Sequence, residues 1–141
     1  MSEAAWFYWA LLSAAFAALT AIFAKLGVKA VDPDLATLLR TVVVLLALAA
    51  LVLAQGKWSS PLRLRPSTLL FLTLSGLATG ASWVCYFRAL QLGAASQVAP
   101  VDKLSVVLVA LFAVTFLGER PSLRDWVGIG MIAAGGVLLV P

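Results

Sequence analysis

Residues 96–140 read SQVAPVDKLSVVLVALFAVTFLGERPSLRDWVGIGMIAAGGVLLV. An apolar helix comes first, then the turn Gly118-Glu119-Arg120-Pro121, then a second apolar helix dense in small residues. A segment that is hydrophobic all round has no solvent face, so it is buried in a core or in lipid. Asp102 and Lys103 lie about two turns inside the first helix. An acid and a base inside an apolar helix are the oddity that the rest of the chain has to explain.

The composition decides between core and lipid. Of 141 residues, 63% are hydrophobic and only 11% are charged, against about a quarter charged in an ordinary soluble domain. With a mean hydropathy of +1.07, the chain reads as an all-α integral membrane protein. A helical span needs about 20 apolar residues, so five spans and short loops use the whole length. No room is left for a soluble domain, and 1–141 is expected to form one transmembrane domain.

Five spans fit the hydropathy pattern, at about 6–26, 34–54, 67–90, 96–117 and 123–140. Trp6, Tyr8 and Trp9 crowd the start of the first span, as interface aromatics do. Asp32-Pro33 reads as a helix start, a cap residue followed by proline at the first helical position. In the third span Gly76 and Gly80 share one face at helix-packing spacing, and Gly93 ends it. The fifth span is the shortest. Glu3 in place of a basic run, ahead of a full-length apolar segment, argues against a cleaved signal peptide.

An odd number of spans puts the termini on opposite sides. The N-terminal side then carries Lys57, Arg63, Arg65, Arg120 and Arg124, whereas only Lys29 is clearly in a loop on the other side. That bias favours a cytoplasmic N-terminus in the cell membrane. Counting every Lys and Arg gives five on each side, which permits insertion both ways round. The formal charge of +4 therefore reads as topology and lipid contact rather than nucleic-acid binding.

Four cations, Lys25, Arg40, Arg88 and Lys103, fall in the half of the membrane away from the N-terminus, with Asp102 as the acid at similar depth. A charge at the centre of a span costs about 2.5–3.5 kcal/mol on insertion scales and faces a bundle interior or watery cavity. One acid cannot neutralise four cations, so a polar cavity with spare positive charge is expected. The structural alternative is that Lys25 and Arg88, near span ends, snorkel to the interface, and that Asp102 pairs with Arg40 or Lys25 to hold helices together. Trp83 and Tyr86 would wall the cavity, or else pack against lipid. Glu119 and Arg120 read as a solvated turn pair.

Several classes are disfavoured. The chain has no His and a single cysteine, Cys85, so no disulfide, Cys/His metal site or histidine proton relay is available within it. No nucleophile–base pair marks an enzyme, no cofactor motif is visible, and no phosphate-binding loop supports direct ATP drive.

The motifs resemble the drug/metabolite transporter superfamily in its EamA-domain branch. The resemblance covers the whole chain and rests on AALTAIFAK (17–25), DPDLATLLR (32–40), YFRALQLGAAS (86–96), APVDKL (99–104), LGER (117–120) and WVGIGMIAAGGVLL (126–139). Most such proteins are similar to two five-span units joined and inverted; this chain resembles the single-unit, five-span bacterial and archaeal type. Lys25, Arg40, Arg88, Pro100, Glu119 and Gly128 match motif positions, and the Asp102–Lys103 pair resembles the five-span type. Gly128 and Gly135 resemble the pairing face of the last helix in small multidrug transporters. The first span lacks their membrane-embedded glutamate, so their proton exchange does not carry over.

The resemblance implies secondary transport of a small polar metabolite. Arg40, Asp102 and Lys103 are the expected substrate or coupling contacts, with Lys25 and Arg88 supporting the field. Because transporters rock two inverted repeats about a midplane site, an antiparallel homodimer is the favoured assembly, whereas a parallel dimer or a monomer fits the loop-charge bias better. The second reading is a non-transporting membrane subunit that lends a helical surface to another protein.

Overall fold

The computed structural model describes residues 5–58 and 64–140. Glu3 and the loop stretch Ser59–Arg63 lie outside the described residues, as do the expectations placed on them. Helix α1 spans Ala5–Gly27 and runs into a single tight turn at Val28–Ala30. Then follow α2 (Pro33–Ala54), α3 (Pro66–Leu92), α4 (Ala95–Asp102), α5 (Ser105–Phe112), a wide turn at Ala113–Leu117 and α6 (Leu123–Leu138). The described residues contain no strand.

The helix ends follow from local chemistry. The carboxylate of Asp32 accepts from the backbone N–H groups of Asp34 (2.9 Å) and Leu35 (3.1 Å), capping α2, with Pro33 at its first position. At the other end of α2, Gly56 has φ 63°, and the next N–H, from Lys57, closes back on the Val52 carbonyl. Gly118 repeats this with φ 69°, letting the Glu119 N–H reach the Ala113 carbonyl. Both glycines sit where the chain must enter the left-handed region, which a side chain disfavours. Ahead of α6, Ser122 and Asp125 form a reciprocal capping box.

Four helical stretches are long and apolar enough to cross a membrane: Ala5–Ala30, Pro33–Ala54, Pro66–Leu92 and Ala95–Leu117. The fourth was expected as one helix but is interrupted between α4 and α5. There Lys103 N–H bonds to the Pro100 carbonyl and Leu104 N–H to the Val101 carbonyl, both at 3.0 Å. These are three-residue closures, so the backbone tightens from Pro100 onward. Proline also removes one donor from the preceding turn.

The described chain divides into two compact units, one of residues 5–22 and 92–140 and the other of residues 23–58 and 64–91. In the first, α6 packs on α4 and α5. They come close at Gly136, where an added Cβ would fall 2.9 Å from Leu104 Cδ2 and 3.4 Å from the Pro100 carbonyl oxygen. A side chain at position 136 would require Leu104 to move, whereas the Pro100 carbonyl lies at ordinary contact distance. In the second unit, Val28, Phe87 and Leu90 are buried, as is Thr37 on α2, its hydroxyl donating to the Pro33 carbonyl at 2.8 Å.

Elsewhere the large apolar side chains point outward. Leu46 is 63% exposed, Phe71 69% and Phe116 80%. Such a surface would be an aggregation hazard in water; it suits a hydrocarbon solvent, in which helices associate through small residues and polar bonds rather than through an apolar core.

Candidate polar site

The second unit carries most of the polar chemistry. Arg40 lies seven residues beyond Pro33, about 10 Å into α2 at 1.5 Å per residue. Its guanidinium carbon sits 4.1 Å from the centroid of the Trp83 ring and 5.5 Å from that of Phe87. Trp83 and Phe87 are four residues apart on α3, so their rings share one face. A guanidinium over an aromatic face gains about 0.5–2 kcal/mol, more as water is excluded. Within this unit no described carboxylate pairs with Arg40, and no described group takes a hydrogen bond from it. The rings offer Arg40 no oxygen acceptor, so its N–H donors remain for an anion.

The neighbouring cations are committed elsewhere. Arg88 grips Asp34 with two bonds, Nη2 to Oδ2 at 2.6 Å and Nε to Oδ1 at 3.2 Å, tying the end of α3 to the start of α2. The Lys25 ammonium donates to the Leu90 carbonyl. Gln91 Nε2 reaches toward the carbonyls of Val28 (3.5 Å) and Val31 (3.4 Å). Together these contacts tie the last turn of α3 to the connection between α1 and α2. Asp34 and Gln91 were not singled out from the sequence. Asp34 reads as a helix-start acid beside its cap, and the available signal was that Arg88 and Gln91, three apart, share a face of α3. Tyr86, also half-buried on α3, lies three residues from Trp83.

Along the same two helices, below Arg40, runs an open groove of about 430 Å³ between α2 and α3. Thr41, Leu45 and Leu48 line one wall; Leu72, Ser75, Gly76, Thr79, Gly80 and Trp83 line the other. Gly76 and Gly80, read from the sequence as packing positions, have nothing within 4 Å of an added Cβ. Within the chain they open space rather than seat a helix.

In the first unit, Asp102 and Lys103 stand at the interruption of the fourth apolar stretch. Lys103 Nζ donates to Asp102 Oδ2 at 3.2 Å, with Asp102 half-buried and Lys103 exposed. Gly128 and Gly135 on α6 also have open space around an added Cβ. Glu119 and Arg120 make no ion pair among the described residues; both line an open hollow of about 390 Å³ beside Pro121, Asp125 and Ile129. Cys85 is an exposed thiol.

The model of the EamA-like transporter family matches residues 4–140. The chain is 61% identical over 134 residues to a protein from Sinorhizobium sp. named an uncharacterized transporter in the cobO 3' region, covering 95% of each chain. It is 32% identical over 83 residues to a protein of Yersinia pestis (strain Pestoides F) named probable 4-amino-4-deoxy-L-arabinose-phosphoundecaprenol flippase subunit ArnE, covering 58% of this chain and 73% of that one. A protein of the same name from Yersinia pseudotuberculosis serotype O:3 matches equally. No solved structure matches the chain.

Proposed function

The chain belongs to the EamA-like transporter family, and on that premise we propose that it carries out secondary transport of a small polar metabolite bearing an anionic group. Arg40 is the observation that carries this reading. It is a stacked, half-buried cation inside an apolar helix with no acid partner in its unit, and an ionisable residue within a span marks a substrate or ion path. Trp83 and Tyr86 wall the site. Lys25 and Arg88, bonded to Leu90 and Asp34, fix the frame around it and add to its positive field. Asp102 and Lys103 act as coupling contacts, at an interruption of the kind transporters place at their sites.

Alternating access follows from pairing two copies. We take α6 as a fifth span and the working form as a homodimer of inverted units. The open faces at Gly128 and Gly135 supply close-approach surfaces for the second copy.

The test is transport in proteoliposomes against a panel of carboxylate and phosphate metabolites. Wild type should move at least one anion, Arg40→Gln should slow it at least about tenfold, and Arg40→Lys should keep part of the rate. Equal rates for wild type and Arg40→Gln would remove the reading. One observation favours a second role: the Yersinia relatives are named as subunits. A chain working as a subunit would co-purify from its own membranes with a second, different membrane protein in fixed ratio.

A further inference from the structure

The α2–α3 groove begins at the residue next to Arg40 and runs away from it. From Thr41 to Leu48 it follows α2 for about 10 Å, and from Trp83 back to Leu72 it follows α3 for about 16 Å, at 1.5 Å per residue. Apart from Ser75, its walls are apolar in practice. The Thr41 and Thr79 hydroxyls each donate at 2.8 Å to the carbonyl four residues earlier, Thr37 and Ser75, leaving their methyl groups as lining. Its depth comes from Gly76 and Gly80, around which an added Cβ meets nothing. At the head of the groove Trp83 forms both the end wall and the platform under the Arg40 guanidinium.

A hydrocarbon slot that ends at an acid-free arginine complements an anion carried on an alkyl chain. We infer that the α2–α3 groove binds the alkyl chain of a single-chain lipid phosphate whose phosphate is held at Arg40. This deepens the reading of Arg40 as the anion contact and rests on it. A guanidinium edge suits phosphate because its parallel N–H groups match two oxygens. The chain fixes the ligand's entry route, sideways from the bilayer through the open groove rather than from water.

Fluorescence quenching tests this in the intact protein. A variant keeping Trp83 alone (Trp6→Phe, Trp9→Phe, Trp58→Phe and Trp126→Phe) is placed in phosphatidylcholine nanodiscs with decyl phosphate brominated in mid-chain. Saturable quenching of Trp83 is expected, competed by unlabelled decyl phosphate and far less by methyl phosphate. Brominated decanol, lacking the anion, should not saturate the site. Arg40→Gln should weaken binding at least about tenfold. Gly76→Leu with Gly80→Leu, which fills open space and so leaves the fold intact, should abolish it.

Competition by methyl phosphate as strong as by decyl phosphate would overturn the chain-binding inference and leave the anion site standing. Equal quenching by brominated decanol would also overturn it. A Gly76→Cys variant in a Cys85→Ser background that cross-links to a second copy in high yield would put a helix in the groove and overturn it as well. Quenching that ignores Arg40→Gln would remove both this inference and the anion site beneath it.

Discussion

A charge at the centre of a span costs about 2.5–3.5 kcal/mol on insertion scales, and the protein accommodates its cations differently, Arg40 inside a span and Lys25 and Arg88 near span ends. Arg88 has a two-bonded carboxylate at Asp34. Lys25 has a backbone carbonyl at Leu90. Arg40 has two aromatic faces. The first two arrangements give the cation an oxygen acceptor; the third gives Arg40 ring faces and no acceptor among the described residues, which is why we assign the proposed anion to Arg40. The Arg88–Asp34 pair should behave as structure. Both side chains are more than half exposed, so salt and solvent screen much of the interaction. Asp34→Asn should lower the melting temperature modestly. The exchanged pair Asp34→Arg with Arg88→Asp should recover most of that loss, as read by a double-mutant cycle in nanodiscs. A swap that recovers nothing would show that the pair does not hold the end of α3 to the start of α2.

At the scale of elements, the bounds of α1, α2 and α3 were legible because apolar runs end at chemically marked positions. The Asp32 cap is found where the sequence places it, and the helices stop at Gly56 and Gly118. The interruption of the fourth stretch was not legible. Pro100 was visible, but membrane helices tolerate proline, and the tightening at Lys103 and Leu104 lies where α6 passes close, at Gly136 beside Leu104 and Pro100. That contact joins residues more than thirty apart, which no local pattern encodes. Restoring the missing N–H tests what the break does. Pro100→Ala should let residues 95–112 run as one helix, slowing amide exchange around Lys103 and lowering transport at least about tenfold while stability holds or rises. Unchanged exchange and unchanged transport would mean that the break has another cause and no bearing on function.

For the whole molecule, the sequence spoke clearly about lipid and only partly about assembly. Apolar residues that a soluble protein would bury are outside, at Leu46, Phe71 and Phe116, as the composition implies. The acid paired with Arg88 was hidden because it lies 54 positions away, and the groove because its depth is an absence of side chains. The last helix, α6, has 16 residues, about 24 Å against a hydrocarbon core of about 30 Å. As a fifth span it requires local thinning or snorkelling ends. A fifth span would also put the C-terminus on the opposite side from the N-terminus, so the orientation of the C-terminus reports the proposed inverted pairing. The deciding measurement is therefore a pair of C-terminal reporters, one active only in the cytoplasm and one only outside it. Activity from both is the predicted result, since an inverted homodimer needs chains inserted both ways. Activity from one alone would fix a single orientation and contradict the inverted homodimer.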